Sequence, residues 1–443
     1  MRFVQHTQED QKQMLETIGM KHLSDLFSSI PEEIRLKHDL NIPPPLSEPE
    51  LLREFRRLAG KNYTFTEYPS FLGAGLYYHH VPSFVDQLSN RGEFLTAYTP
   101  YQGEASQGML QIIFEFQTLI SRLTGLPVAN ASLYDASTAC AEAVLLALTE
   151  KKKCSKIVVS GAIHPHYLAV IRTYLKMQGE CVVVPQDTKT GQTDLNALRK
   201  AVDSQTAGVL FQTPNFFGCL EESEEICEIA HKAGALAISC HYPVALGLIA
   251  PPGEFGADVA VGEMQSMGTY MAYGGAHCGF MATQADLIRK IPGRLVGETK
   301  DSQGRRAYVL TLQTREQHIK RERATSNICT NQALIALRST IHMCALGKQG
   351  LLDVANLCLQ KAHYASERFK SMGSRLRFSA PFFNEFVIET KQPAVEVNQK
   401  LLDAGIIGGF PLSNVWPEER NSLMFAFTEL HTVEMIEQLL AKV

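Results

Sequence analysis

The sequence lacks an excess of charge of one sign and lacks a long uninterrupted apolar run. Its 443 residues carry 42 Lys plus Arg against 46 Asp plus Glu, a formal net charge of −4. Such a balance removes the general attraction that draws basic proteins to nucleic acid or to anionic membrane surfaces. The most apolar stretch, residues 233–252, is interrupted by His241 and by prolines, so it cannot span a membrane. We therefore expect no nucleic-acid partner and no membrane partner.

Paired cysteines and a secretion signal are missing as well. The ten cysteines contain no CxxC pair, and most lie in apolar runs such as residues 138–141, where a free thiol behaves as a small apolar side chain. The polar start, Met1 to Asp10, has none of the apolar character of a secretory signal. These absences favour a reducing, cytoplasmic setting without disulfides.

What remains is the composition of a globular protein with a substantial core, since 45% of the residues are hydrophobic. From residue 107 onward, segments with helical spacing of apolar residues alternate with short strand-like runs. We predict strands over 156–160, 180–185, 206–213, 235–239, 257–263 and 278–283. Short strands separated by helices need crossover connections, and this predicts an α/β fold with a mostly parallel sheet covered on both faces.

Two further regions flank the predicted sheet. Before it, helices begin at the capping residues Thr7 and Ser47, with a run of three prolines between them, and both a packed lobe and an extended arm fit this pattern. After it, long helices over 331–345 and 350–373 precede a strand, a helix and a strand, which predicts a smaller α/β domain joined through a helix that starts near Asn327. The expected domains are a helical lobe or arm, a large domain and a C-terminal domain, over residues 1–62, 63–325 and 326–443.

Several polar residues follow predicted strands, where open α/β sheets bind ligands. Ser137 and Thr138 open a predicted helix whose first N–H groups would host phosphate, although Asp135 or Ser137 as a simple helix cap fits equally. His164 could stack on a ring or bind a metal, but no third ligand accompanies it, so we expect no metal; a core or capping histidine is the alternative. Asn215 either contacts a ligand or builds a turn.

Two other features carry less information. The glycine-rich stretch over 273–279 matches neither GxGxxG nor Walker spacing, so it predicts no nucleotide site. The segment from Arg315 to Arg323 is rich in basic residues, and such runs are usually solvated helix faces. A nucleic-acid patch is the weaker interpretation given the balanced total charge.

Taken in order along the chain, a series of motifs resembles the glycine cleavage system P-proteins, and in particular subunit 1 of the two-subunit glycine dehydrogenase (decarboxylating). The most specific is Pro-Gly-Arg-Leu-Val-Gly-Glu-Thr at residues 292–299. The others run nearly from end to end of the chain, at residues 6–10, 30–35, 46–52, 96–102, 124–132, 310–319 and 324–332.

The resemblance implies fold type I of the pyridoxal phosphate (PLP) enzymes, with a seven-stranded sheet in a large domain and a smaller C-terminal domain. It also implies an activity: glycine is decarboxylated on PLP, and the aminomethyl group passes to the lipoyl arm of the H-protein. The implied partners are the H-protein and a second P-protein subunit, in a heterotetramer with two copies of each subunit. The implied small-molecule substrate is glycine.

The same resemblance reveals residues that are missing. The lysine that holds PLP as a Schiff base is expected near Ser266, yet no lysine occurs between Glu263 and Lys290. Tyr242 precedes Pro243 where relatives have an aspartate, so the expected partner of the pyridine nitrogen is absent too. The resemblance therefore implies that the second subunit binds PLP and that this chain completes its partner's active site.

Two sets of residues carry that expectation. The set expected to reach the partner's site, or else only to stabilise the interface, comprises Tyr98, Thr99, Tyr101, Gln102, Arg315, Arg321, Thr325 and Ser326. The set expected to remain from an ancestral pocket, which we call the relic set, comprises Ser137, Thr138, His164, Asn215 and Tyr242. Two alternatives stay open: a non-catalytic scaffold that docks a partner, and an autonomous PLP enzyme that uses Lys290 or Lys300.

Overall fold

A computed structural model describes residues 5–328 and 330–443 and divides the chain into two compact units, Met1–Tyr63 and Thr64–Val443. The first unit contains helices α1 (Gln8–Thr17) and α2 (Glu48–Ala59). Both begin with the predicted caps: the Thr7 hydroxyl accepts a hydrogen bond from the backbone N–H of Asp10, and the backbone N–H of Ser47 donates to Glu50. None of residues 5–63 is buried.

The second unit holds the remaining regular elements. Its helices are α3 (Ser83–Ser89), α4 (Gly92–Leu95), α5 (Gln107–Thr124), α6 (Ala136–Glu150), α7 (Pro165–Leu175), α8 (Leu195–Ala201), α9 (Ser223–Lys232), α10 (Gln317–Lys320), α11 (Ala333–Ser371), α12 (Ala394–Asp403) and α13 (Val433–Leu440). Its strands are β1 (Val128–Ala129), β2 (Lys156–Ser160), β3 (Glu180–Val184), β4 (Thr206–Gln212), β5 (Leu236–His241), β6 (Val259–Glu263), β7 (Gly279–Thr283), β8 (Leu295–Lys300), β9 (Arg306–Thr311), β10 (Arg375–Leu376), β11 (Glu385–Glu389), β12 (Phe410–Pro411) and β13 (Ser422–Ala426).

The large sheet is mixed and has the strand order β1-β7-β6-β5-β4-β2-β3. Strands β3, β2, β4, β5 and β6 are parallel to one another, whereas β7 runs antiparallel to both β6 and β1. The predicted α/β fold is confirmed, and all six predicted strands occur within two residues of their expected bounds. The edge strand β1 was missed because two residues are too few to show a periodicity.

Alternating strand residues build a core on each face of this sheet. Ile157 and Val159 pack in one cluster with residues of α6 and α7. Val158, between them, packs on the other face with Leu198 of α8 and Ile226 of α9. Because side chains alternate along a strand, a run that is buried throughout must be covered on both faces. This arrangement leaves the carboxyl ends of the parallel strands as the open edge of the sheet.

A second, antiparallel sheet with the order β10-β11-β13-β12 packs against α11 and α13. The connecting helix begins at Ala333, so the expected start near Asn327 is wrong by about two turns. The two long helices predicted there are confirmed, since α11 consists of two helices that meet at a kink at Gly347. There the backbone has a φ of +59°, a left-handed conformation that glycine adopts without steric cost.

A hairpin of β8 and β9 was not predicted, although the family-specific residues 292–299 contribute to it. Two glutamines of α5 hold its backbone. The Gln107 side chain donates to the carbonyl of Tyr308 and accepts from the N–H of the same residue, both at 2.8 Å. Gln117 makes the same pair of bonds with Val296, both at 3.0 Å. Each amide thus satisfies one donor and one acceptor of the hairpin backbone.

No helix within residues 5–328 or 330–443 combines the length and the apolar character needed to cross a membrane. Nine of the ten cysteines are free thiols, in line with the expected absence of disulfides. The tenth, Cys329, lies outside the described residues.

Candidate functional site

A cavity of about 430 Å³ lies at the carboxyl ends of β2 and β6. Glu263 is the last residue of β6, His164 follows β2, and Asp135 is the capping residue of α6. Open α/β sheets place ligand sites at this edge because loops from several parallel strands converge there. Residues that line the cavity and are discussed below are Asp135, Ser137, His164, Tyr167, Glu263 and His277.

His164 is fixed in its place by both ring nitrogens. Its Nδ1 accepts from the backbone N–H of His166 at 3.1 Å, so Nε2 carries the proton and donates to the carbonyl of Ala74 at 2.9 Å. Burial lowers the pKa of His164 to about 4, which keeps the ring neutral. The ring stacks on Tyr167 with centroids 4.5 Å apart. His164 therefore caps α7 and still forms one wall of the cavity.

The start of α6 is the part of the cavity suited by geometry to an anion. Asp135 already fills it, since its carboxylate accepts from the backbone N–H of Thr138 at 2.8 Å and from the Thr138 hydroxyl at 2.6 Å. It also accepts from the Ser137 hydroxyl at 2.9 and 3.0 Å. Asp135 is thus the helix cap that the sequence allowed as an alternative, and the hydroxyls of Ser137 and Thr138 bind the protein's own carboxylate.

A second carboxylate, Glu263, reaches the same turn from the sheet. It accepts from the N–H groups of Ala136 at 3.1 Å, Gln265 at 3.1 Å and Cys278 at 3.3 Å. Burial raises the pKa of Glu263 to about 8, although these three donors act in the opposite direction. His277 Nδ1 lies 3.9 Å from Glu263, and its buried Nε2 has no hydrogen-bond partner among the described residues.

These residues do not fit PLP. Of the described residues that line the cavity, none is a lysine or an arginine, so neither an imine nor a cation for the phosphate is supplied. Two first-turn N–H donors that a phosphate would use, those of Ala136 and Thr138, are taken by Glu263 and Asp135. Ser266 is buried and lies outside the cavity lining, with no hydrogen-bond partner for its hydroxyl among the described residues.

The structure brings together only part of the relic set. Ser137 and His164 line the cavity, and Thr138 lies beside it, but Asn215 and Tyr242 do not belong to its walls. Asn215 builds a turn, as its side chain accepts from the N–H groups of Phe217 and Cys219. The expectation of one pocket shared by all five residues is therefore corrected, because a turn-building asparagine has no atoms left for a ligand.

Tyr242 belongs to a separate buried cluster. Its hydroxyl bonds to Nε2 of His79, whose Nδ1 lies 2.7 Å from a carboxylate oxygen of Glu429. The Cys358 thiol lies 3.8 Å from the same oxygen. Burial raises the pKa of Glu429, but the hydrogen bond and charge of His79 together with backbone N–H donors outweigh it and hold the pKa at about 2. This network joins residues that are far apart in sequence.

The residues expected to reach a partner's site lie in three places. Arg315, Thr325 and Ser326 line one narrow crevice, and Arg315 donates to the carbonyl of Gly293 at 2.7 Å. The segment 315–323 was expected to be a solvated helix face. That expectation is wrong for Arg315, which is half-buried, and correct for Arg321, which is exposed.

The other members of this set lie on the loop before α5. Tyr98 and Thr99 line a second depression, where the hydroxyls of Thr99 and Thr330 are 3.3 Å apart. Tyr101 accepts from the guanidinium of Arg294 at 3.3 Å, and Gln102 is exposed.

Sequence reasoning missed the chemical importance of Glu263, which appeared only as the end of a predicted strand. The available signal was a single carboxylate at the end of an otherwise apolar run, where an unpaired charge would be costly. The donors that stabilise it come from three separate segments, so their convergence is a property of the fold.

Solved structures with low sequence identity share this fold. The glutamate decarboxylase of Lactobacillus brevis aligns over 94% of this chain and 97% of its own with a TM-score of 0.70 and 13% identity. A sphingosine-1-phosphate lyase of Burkholderia pseudomallei aligns over 94% of this chain and 93% of its own with a TM-score of 0.66 and 15% identity. Such likeness shows the fold alone, an α/β fold with a large mixed sheet of the fold type I class.

Closer comparisons define the family. The family model described as glycine cleavage system P-protein matches residues 1–443. A probable glycine dehydrogenase (decarboxylating) subunit 1 of Anoxybacillus flavithermus is 51% identical over 99% of this chain and 97% of the relative. The corresponding protein of Brevibacillus brevis is 50% identical over 100% of this chain and 98% of the relative.

A crystal structure of glycine decarboxylase (P-protein) of the glycine cleavage system, in inhibitor-bound form, aligns over 100% of both chains. Its TM-score is 0.90 and its sequence identity 42%. The chain belongs to the glycine cleavage system P-protein family.

Proposed function

We propose that this chain is subunit 1 of a two-subunit P-protein, which decarboxylates glycine and transfers the aminomethyl group to the lipoyl arm of the H-protein. The observation that carries the proposal is the end-to-end identity of about half of all positions with relatives named as this subunit. The cofactor, in this proposal, is held by the partner subunit and supplies the electron sink for decarboxylation. The lack of a lysine in the cavity supports this assignment.

The chain's own residues would complete the partner's site. Tyr98 and Arg321 are exposed, so their side chains are available to a neighbouring subunit. Burying an arginine beside a substrate carboxylate gives a charge-assisted, often bidentate contact that would orient glycine. The assembly we propose is a heterotetramer in the cytoplasm, with two copies of each subunit.

We further propose that the chain is organised as an N-terminal arm or lobe, a large domain and a small domain, with bounds at residues 62 and 325. The autonomous PLP enzyme is less well supported. Lys290 pairs with Glu150 at 3.5 Å and lines the narrow crevice of Arg315, outside the cavity, while Lys300 is exposed at the end of β8.

Borohydride reduction tests where the cofactor is held. The chain is co-expressed with a candidate second subunit, the complex is reduced in the presence of PLP, and labelled lysines are located by peptide mass spectrometry. We expect the label on the second subunit only and glycine decarboxylation only in the mixture. A stoichiometric label on Lys290 or Lys300 of this chain, with activity in the isolated chain, would overturn the proposal.

Alanine at Arg321 tests whether this chain shapes the partner's site. We expect R321A to lower decarboxylation at least about tenfold in the reconstituted complex, with assembly intact, because a charged contact to substrate is worth about 1.5 kcal/mol or more. R323A is the matched control, since Arg323 is an exposed arginine two residues away. Equal activity of both variants and the parent complex would favour a scaffold instead.

A further inference from the structure

We infer that the carboxyl groups of Asp135 and Glu263 act as built-in hydrogen-bond acceptors that occupy the α6 cradle and exclude phosphate monoesters from the cavity. The α6 cradle is defined here as the backbone N–H groups of Ala136 and Thr138 together with the Ser137 hydroxyl. The inference deepens the proposed function. It rests on that proposal in one respect, because it gives a physical reason why this subunit does not bind the cofactor that its partner holds.

Both carboxylates bind where a phosphate would bind. Helix N-termini attract anions because their first N–H groups lack intrahelical acceptors and carry the positive end of the helix dipole. In this chain the N–H of Thr138 donates to Asp135 at 2.8 Å, and the N–H of Ala136 donates to Glu263 at 3.1 Å. The Ser137 hydroxyl donates to Asp135 at 2.9 Å. Every donor of the α6 cradle therefore has a carboxylate partner from the chain itself.

Glu263 cannot easily swing aside for a ligand. The N–H groups of Gln265 and Cys278 hold its second oxygen at 3.1 and 3.3 Å. The backbone around it is equally constrained, since a Cβ at Gly279 would overlap the carbonyl of Asp135. The Leu133 N–H donates to the Gly279 carbonyl at 2.7 Å and ties the two segments together. A phosphate that entered would find these donors already occupied by carboxyl groups of the chain itself.

Among its described lining residues, the cavity also offers no lysine or arginine side chain to a phosphate. The titratable side chains that line the cavity with Asp135 and Glu263 are three histidines and Tyr167, and the described lining contains no lysine or arginine. Burial lowers the pKa of His164 and of His277, so these rings add little positive charge. The volume of about 430 Å³ would admit a ring ligand, so the occupied donors and the lack of a cation, rather than size, set the exclusion.

The test is a gain of binding in the full chain without its partner. The probe is pyridoxine 5′-phosphate, an alcohol that cannot form an imine with surface lysines, and pyridoxine without phosphate is the second probe. We expect the parent chain to bind neither. We expect E263A to bind pyridoxine 5′-phosphate at least about tenfold more tightly, because the backbone N–H donors of Ala136, Gln265 and Cys278 become available, while pyridoxine is unaffected.

E221A is the matched control, because Glu221 is also a buried carboxylate that accepts from a backbone N–H, that of Thr193 at 2.9 Å, and it does not line the cavity. It should leave binding unchanged. Folding of each variant is checked by circular dichroism and thermal melting. If E263A does not fold, E263Q and D135N take its place, with the same direction and a smaller gain expected.

Two results would overturn the inference. The first is that folded E263A, or folded E263Q and D135N in its place, binds pyridoxine 5′-phosphate no more tightly than the parent chain. The second is that the parent chain already binds this probe as tightly as the variants do. These results are separable from failure of the proposed function. A borohydride label on this chain's lysines would refute the cofactor assignment whatever the variants bind. A label confined to the partner, with no gain of binding in E263A, would refute the built-in acceptors alone.

Discussion

At the scale of single residues, the chain is unusual in burying several carboxyl groups without a cationic partner. Burial is the largest influence on each of them, and it raises the pKa to about 7 or 8 in Glu142, Glu221, Glu263 and Glu385. Glu385 shows how such a group is tolerated. It accepts from the backbone N–H of Ala74 at 2.7 Å and from the Tyr77 hydroxyl at 2.8 Å. Such groups make stability depend on pH.

Glu385 gives a prediction with a definite sign. Its pKa of about 7 in the folded chain exceeds the ordinary 4.5, so the folded state binds this proton more tightly than the unfolded state. The contribution is fully present below about pH 4.5 and is lost as the pH rises through 7, by up to about 3 kcal/mol. We expect E385Q to flatten the fall in melting temperature between pH 5 and 8.

The control for this prediction is E389Q, since Glu389 is exposed at the end of the same strand. Melting temperatures of the three proteins are measured over one pH series. A pH profile of E385Q that is parallel to that of the parent chain would refute the role assigned to this carboxyl group.

At the scale of elements, the sequence predicted the helices and strands whose apolar residues recur in a regular pattern. The strands of the large sheet were found because their apolar runs are flanked by amphipathic helices. The β8–β9 hairpin was missed because its contacts with α5 depend on two glutamine side chains, and glutamine on a helix predicts only solvent exposure. The register that brings Gln107 to Tyr308 and Gln117 to Val296 is set by tertiary packing.

The glutamines of α5 yield a prediction for this hairpin. Replacing Gln107 and Gln117 together by alanine leaves four backbone groups of β8 and β9 without their partners, at a cost of about 1–3 kcal/mol for each glutamine. We expect faster hydrogen exchange over residues 295–311 and a lower melting temperature. The control Q111A removes a partly exposed glutamine of the same helix, whose side chain donates to Glu115, and it should change neither.

This prediction fails if the double variant exchanges hydrogen in the hairpin at the rate of the parent chain. It also fails if Q111A has the same effect, because the loss would then come from the helix rather than from the two bracketing amides.

At the scale of the second unit as a whole, its two main sheets approach each other closely at Gly218. Gly218 lies in the turn after β4 with a φ of +81°, and its carbonyl accepts from the N–H of Phe383 at 3.1 Å. A Cβ there would overlap the carbonyl of Glu385 in β11. This position therefore requires glycine for two reasons: the positive φ and the lack of space for a Cβ.

Alanine at Gly218 should therefore separate these two needs. G234A serves as the comparison, since Gly234 has a similar φ of +78° and open space around it. We expect G234A to cost about 1 kcal/mol of backbone strain and G218A at least about 3 kcal/mol, because the backbone of β11 must move. Chemical unfolding would show equal losses for both variants if the approach to β11 were unimportant.

The first unit offers a prediction about assembly. None of residues 5–63 is buried, and large apolar side chains such as Ile34 and Phe55 are 74% and 62% exposed. Apolar surface of this extent is normally covered in a complex. We expect limited proteolysis to cut the isolated chain first within residues 5–63, and the second subunit to slow that cleavage at least about tenfold. Serum albumin in place of the second subunit is the control.

An unchanged cleavage rate in the complex would show that the second subunit does not cover this segment. The sequence left a packed lobe and an arm open here, because helix caps and prolines describe local geometry only. Burial depends on what each helix packs against, and a single chain does not contain that information.

The candidate site was predictable only in part, for the same reason. Ser137 and His164 were expected in one pocket and lie in one cavity, because His164 follows the parallel strand β2 and Ser137 opens a helix that begins at the same edge of the sheet. Asn215 follows a strand too, yet the structure turns its side chain into a local loop. The missing lysine was readable directly from the sequence, whereas the carboxylates that replace a phosphate required the fold.

The filled cradle at α6 bears finally on the route back to an independent enzyme. A lysine at position 266 would start from a buried side chain outside the cavity, and Asp135 and Glu263 would still hold the donors that a phosphate needs. Regaining a cofactor would take several coordinated substitutions, none of which helps alone. Dependence on a second subunit is thus difficult to reverse in evolution, because natural selection would not favour any one of these substitutions by itself.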